Sequence, residues 1–142
     1  MLVNKIEQIS EAHGWRFNYG KGHWQNLLDL PDDSDLNFDK RQKYFLMHYQ
    51  NREINFNDYG RKGIIYESEA LLCVRSRMND EDYNFKYKHN IRRLRGDIDN
   101  VLIPALNCDK FNILSFKDFE IENALDTNVD GILIRFKLQY AK

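Results

Sequence analysis

The sequence predicts an α+β domain in which an N-terminal helix and a long central helix pack on one face of a mostly antiparallel sheet, with a β-hairpin closing the chain. Three observations predict it. Apolar residues recur at three- and four-residue steps at the start of the chain and again between about Asp80 and Pro104, which is the spacing of one helix face. Four runs, at 43–54, 64–77, 111–122 and 132–140, show the two-residue alternation of strands. A length of 142 residues is the ordinary size of one domain and too short for two, so 1–142 is read as a single domain.

Each element has its own local signals. Leu2, Ile6, Ile9 and Ala12 (or His13) form the first helical stripe, and Gly14 is its stop. Residues 15–24, WRFNYGKGHW, read as two extended aromatic pieces around the Gly20 and Gly22 turn, and PDDSDLNFD as an exposed loop. In the first long strand Tyr44, Leu46 and His48 share one face, and Phe45, Met47 and Tyr49 the other. NFNDYGRKG reads as a turn. The next strand sets Ile64, Tyr66, Ala70, Leu72 and Val74 on one buried side, with Glu67, Glu69, Arg75 and Arg77 opposite.

In the central helix Tyr87, Ile91, Leu94, Ile98, Val101 or Leu102, and Ala105 step along one face, after an Asn79 or Asp80 cap. Gly96 costs about 1 kcal/mol relative to Ala and suggests a close crossing over a strand. Pro104 is expected to end or kink the helix. In 111–122 the apolar phase slips after Phe116, as a β-bulge near Lys117–Asp118 would produce. Asp130–Gly131 is a turn signal ahead of the cleanly alternating last strand.

Composition narrows the function. With 42% hydrophobic residues the chain has enough for a core, and a net charge of −1 creates no long-range field toward nucleic acid or anionic lipid. Cys73 and Cys108 belong to no CxxC or Cys/His cluster, and Cys73 lies in an apolar run where a free thiol acts as a small hydrophobe. The N-terminus has no apolar signal region and no stretch is long enough to span a membrane. A reducing cytoplasm is therefore expected, unless a larger assembly carries the protein out.

Searches for chemistry find no complete motif. His13, His23, His48 and His89 have no HxH or HExxH spacing. Asp58, Glu67 and Glu69 lie on a turn followed by a strand, as nuclease carboxylates do, but Glu67-Ser68-Glu69 lacks the lysine that such sites need. DTNVDG at 126–131 lacks the bidentate Glu of a calcium loop, and Gly20 and Gly22 precede no GK[ST] helix start. No catalysis, metal or cofactor is expected. Lys86, Lys88, Arg92, Arg93 and Arg95 could touch phosphates or form a solvated helix face. Trp15 and Trp24 suit either core packing or an interface.

The element order, together with the ending ENALDTNVDGILIRFKLQYAK, resembles the tail-terminator (tail-completion) proteins and related neck proteins of tailed bacteriophages. That resemblance implies a structural virion protein without an active site. It would form a homo-oligomeric ring, commonly a hexamer, at the tail–neck junction, capping the tail and joining it to the capsid connector. The implied partners are copies of itself, tail-tube protein and neck or connector proteins, with room for contact with passing DNA and with no membrane. The implied location is the virion, after assembly in the host cytoplasm. The family has no motif to match residue by residue. The assignments therefore rest on this chain's own features: Trp15, Trp24, Asp126, Asn128 and Asp130 at subunit contacts, and Arg92, Arg93 and Arg95 at the bore or a neighbouring ring. The rival readings are a nucleic-acid-associated module using the Arg92, Arg93 and Arg95 face, and a small metal-dependent nuclease-like enzyme using Asp58, Glu67 and Glu69.

Overall fold

The computed structural model describes residues 2–20, 42–75, 90–108, 110–121 and 129–140. Five strands form one sheet: β1 (Arg16–Tyr19), β2 (Lys43–Asn57), β3 (Gly60–Arg75), β4 (Phe111–Ile121) and β5 (Val129–Tyr140), in the order β1-β2-β3-β5-β4. The β2/β3, β3/β5 and β4/β5 pairs are antiparallel. Among the described residues, only β1 runs parallel to its neighbour, with Arg16 opposite Tyr44. The expected α+β architecture, with its mostly antiparallel sheet and closing β4–β5 hairpin, is the one the chain forms.

Helix α1 (Leu2–Ala12) buries Leu2, Ile6 and Ile9 as its spacing dictates. Ser10, not Ala12 or His13, completes the buried stripe, and its hydroxyl donates to the Ile6 carbonyl at 2.9 Å. Gly14 stops the helix at φ 70°. Its N–H donates to the Glu11 carbonyl at 3.3 Å, while the Trp15 N–H reaches back to the Ser10 carbonyl at 2.8 Å. This is the Schellman closure, in which the residue after the glycine folds back against the helix.

Strands β2 and β3 exceed their expected lengths. Residues 55–57 and 60–63, expected in the turn, continue the ladder, and only Asp58 and Tyr59 remain as the turn before Gly60 at φ 115°. A second correction concerns Tyr49. The register shifts between Met47 and Tyr49, so that Tyr49 pairs with Glu69. This bulge at His48 turns Tyr49 away from Phe45 and Met47, onto the face of Glu69.

The second helix is described from Asn90 onward as α2 (Arg92–Asp97), a π-helical segment (Ile98–Leu102) and α3 (Ile103–Leu106). Leu94, Ile98, Leu102 and Leu106 are all fully buried. Uniform four-residue steps drift by about 40° each on an α-helix of 3.6 residues per turn. The wider π turn absorbs that drift and keeps all four leucine and isoleucine side chains on the core. It also places Pro104 in the first turn of α3, where no N–H is required. The helix therefore continues through Pro104 instead of ending there. Among the described residues, a Cβ on Gly96 would meet only the Asn100 side-chain nitrogen at 4.0 Å, so they form no close crossing there.

Both helices cover the same sheet face. The core joins Leu2, Ile6 and Ile9 of α1 and Leu94, Ile98, Leu102 and Leu106 of the second helix to Phe45, Met47, Tyr66, Leu72, Ile134, Phe136 and Leu138. The opposite face is not uniformly polar, because Tyr44, Leu46, Leu71, Cys73 and Val129 form a second buried cluster at one end. That cluster explains the phase slip in β4. Phe116 faces the helices opposite Phe136, while Phe119 and Ile121 face the other side opposite Leu133 and Gly131. The bulge itself falls at Leu114, between Ile113 and Ser115, and not at Lys117–Asp118.

Asp130 and Gly131 form no turn. Both lie in β5, with Gly131 between Cys73 and Ile121. A Cβ on Gly131 would stand 2.7 Å from both the Leu72 carbonyl oxygen and the Cys73 Cβ, so the strand crossing itself requires glycine. Gly131→Ala is expected to cost about 1–3 kcal/mol through overpacking, read as a lowered denaturant midpoint.

Candidate functional site

Two of the expected contact residues are interior. Trp15 is 5% exposed and stacks on Phe45 with ring centroids 6.2 Å apart and planes 4° from parallel. Its place in the core corrects its assignment to a subunit contact. The sequence held the signal: a glycine stop followed by a large apolar residue is the Schellman pattern, whose last residue packs against the helix. Asp130 is fully buried and accepts a 2.9 Å hydrogen bond from Asn90 Nδ2. It ties the start of β5 to the second helix and is not at a hairpin tip. Trp24, Asp126 and Asn128 lie outside the described residues.

The basic helix face is split. Arg92 and Arg93 are exposed. Arg95 instead crosses to β4, where its Nε donates to Glu120 Oε1 at 2.7 Å and its Nη1 to Asp118 Oδ1 at 3.0 Å. Its charge is balanced within the protomer, which weakens any phosphate-binding surface on this face. Lys43 closes another link to the same helix, 2.7 Å from Asp97.

The sheet face turned away from the helices carries a charged network that sequence spacing did not bring together. The bulge at His48 places its Nδ1 3.2 Å from Glu69 Oε2, and Arg135 Nε donates to Glu69 Oε1 at 3.0 Å. The Arg135 guanidinium lies 5.6 Å from the centroid of the Phe119 ring. Glu67 faces Lys137 one ladder step away, so each carboxylate opposes a base across the β3–β5 ladder. Asp58 is at the hairpin turn, remote from Glu67 and Glu69, so the three carboxylates of the nuclease-like reading do not converge. Among the described residues, no group of three or more His, Cys, Asp or Glu could hold a metal ion. Burial pushes the Cys73 thiol strongly upward, reinforced by Asp130, so it is a packed side chain and not a nucleophile.

Burial alone would raise the Glu69 carboxyl, but the hydrogen bonds from His48 and Arg135 outweigh it and hold it below its ordinary value of 4.5. A carboxylate whose folded value is depressed stabilises the fold above its unfolded value, and the contribution disappears as pH falls through the folded one. Stability is therefore expected to decline as pH drops below about 4.5. Glu69→Gln should flatten that part of the profile, as read by urea unfolding across an acid pH series.

The two most exposed large apolar side chains among the described residues lie on one element. The β2–β3 hairpin runs past the end of β5, where Tyr140 pairs with Ile64. Near its tip Phe56 is 69% exposed and Tyr59 99%. Along its stem a cleft of about 270 Å³ is lined by Asn51, Arg52, Glu53, Ile65 and Glu67, with Leu114 and Lys137 closing its far side. Among the described residues, no helix is long and apolar enough to cross a membrane.

Fold and surfaces together define an α+β domain with one helix-covered sheet face, one charged face and a projecting aromatic hairpin. No family model matches the chain, and no curated protein matches it.

Proposed function

We propose that the chain is a structural subunit that assembles with copies of itself into a ring at the tail–neck junction of a tailed bacteriophage, completing the tail and joining it to the capsid connector. The observation that carries the assembly reading is the hairpin arm with Phe56 and Tyr59 exposed. Large aromatic side chains on a braced two-stranded arm are the groups that anchor protein interfaces. The viral setting rests on the resemblance of the element order and the closing strand to tail-terminator and neck proteins. Two different patches meeting head to tail close a ring when the rotation permits, and a net charge of −1 lets identical copies approach. Trp24, Asp126 and Asn128 retain their proposed place at the contacts on sequence grounds. Arg92 and Arg93, exposed on the second helix, keep their proposed place at the bore or a neighbouring ring.

A stable ring contact should bury on the order of 1,000 Å² or more. Native mass spectrometry, with and without tail-tube protein, and imaging of assembled particles test the proposal. The expected result is a closed ring, a hexamer by the family resemblance. A protein that is absent from particles, or present there as an isolated copy, refutes it.

A further inference from the structure

We infer that an open depression between α1 and the end of the sheet where β4 starts and β5 finishes binds a phosphate group, held chiefly by Lys5 and Lys110. The inference goes beyond the ring reading and does not rest on it. The depression has a volume of about 250 Å³ and is lined by Asn4, Lys5, Gln8, Lys110, Phe111 and Tyr140. Its lining carries two cations and no carboxylate, on a chain whose formal charge is −1. Glu7 and Glu11 are exposed on the same helix but do not line it. Several basic side chains elsewhere are answered within the chain, Lys43 by Asp97, Arg95 by Asp118 and Glu120, and Arg135 by Glu69. Among the described residues Lys5 and Lys110 form no such pair, and the Asn4 and Gln8 amides and the Tyr140 hydroxyl make no hydrogen bond.

The backbone beneath these groups is fixed. Leu2, Ile6 and Ile9 anchor α1 on the core, which sets the flank that carries Asn4, Lys5 and Gln8. Cys108 and Phe111 exchange backbone hydrogen bonds of 3.0 and 3.3 Å, closing the turn that carries Lys110 into β4. Phe111 is 3% exposed and meets Tyr140 edge-on at 5.5 Å and Tyr66 at 6.0 Å, so the floor is part of the core. Charge selects the ligand. A phosphate group presents three acceptor oxygens and close to two negative charges, which answers two ammonium groups with amide and phenol donors beside them. A single carboxylate brings one charge, and its planar pair of oxygens is better matched by an arginine fork than by lysine point charges. The volume lies below the roughly 300–1,000 Å³ of small-molecule pockets, so the site suits a small free phosphate or one phosphate of a longer molecule.

Isothermal titration of the full-length chain at constant ionic strength tests the site, with pyrophosphate and a short 5′-phosphorylated DNA single strand as the two probes. Citrate serves as the carboxylate control. At least one phosphate probe is expected to bind, with Lys5→Gln and Lys110→Gln each weakening it by about tenfold, the loss of one charge-assisted contact. Lys117→Gln, exposed on β4 outside the depression, should leave the affinity unchanged. Both lysine variants replace side chains without a partner among the described residues and are expected to keep the parent melting midpoint, which separates lost binding from lost folding. Pyrophosphate binding that the two variants weaken assigns the site to a free phosphate compound. Binding of the DNA strand alone, weakened by the same variants, assigns it to a nucleic-acid backbone. Absence of binding by both probes, binding that neither variant weakens, or citrate binding as tightly as either probe overturns the phosphate site. Each of these outcomes leaves the ring reading untouched.

Discussion

Trp15→Ala is expected to cost about 3–5 kcal/mol of folding stability, the range for removing a large aromatic from a core. Trp15 is buried at the end of α1, stacked on Phe45 of β2 and 5.7 Å from the His13 ring. It is the wedge that fixes the angle at which α1 leaves the sheet, because the Schellman closure at Gly14 delivers it there. Truncation leaves a void between helix and sheet that a rigid strand pair cannot collapse to fill. Denaturant unfolding monitored by circular dichroism measures the loss. An interface residue would behave differently: the isolated protomer would keep its midpoint and only association would weaken. A midpoint within about 0.5 kcal/mol of the parent, the range of ordinary surface substitutions, would return Trp15 to the surface.

Leu94→Ala should cost about 2–5 kcal/mol, the usual range for emptying a core leucine. Leu94 is fully buried in the cluster where the second helix meets the sheet. Its α-helical turn is pinned nearby by the Lys43–Asp97 ion pair and by Arg95 on Asp118 and Glu120. Those polar ties limit how far the helix can settle into the cavity, which argues for the upper part of the range. Arg92→Ala, on the exposed side of the same turn, is the control and should lie within about 0.5 kcal/mol of the parent. Equal midpoints for the two variants would mean that this helix does not sit on the core.

Much of the fold was legible because its signals are local. Leu2, Ile6 and Ile9, the Leu94–Ile98 step, and the alternation of Ile64 to Val74 each report which side of an element meets the core, and periodicity reads that directly. The site residues were far less legible. Trp15 and Asp130 sat beside glycines and resembled loop residues, yet their partners Phe45 and Asn90 are distant in sequence. No local pattern distinguishes a tryptophan that folds back under a helix from one that points outward, except the glycine stop just before it.

By itself the sequence determined the class of fold, the order of its two helical regions and four long strands, the helix-facing sides of β3 and β5, and the helix stop at Gly14. Tertiary structure alone decided where the registers slip and who meets whom. The bulge at His48 turns both His48 and Tyr49 toward Glu69, and the bulge at Leu114 leaves that side chain beside the hairpin-stem cleft. The same holds for the continuation of the second helix through Pro104, for the glycine at position 131, and for the second buried cluster around Leu46 and Cys73. The physical reason is common to all of them. Hydrophobic period is a property of one segment, whereas a bulge, a π turn or a close strand crossing is the settlement between two segments whose spacing must agree, and only their packing fixes it.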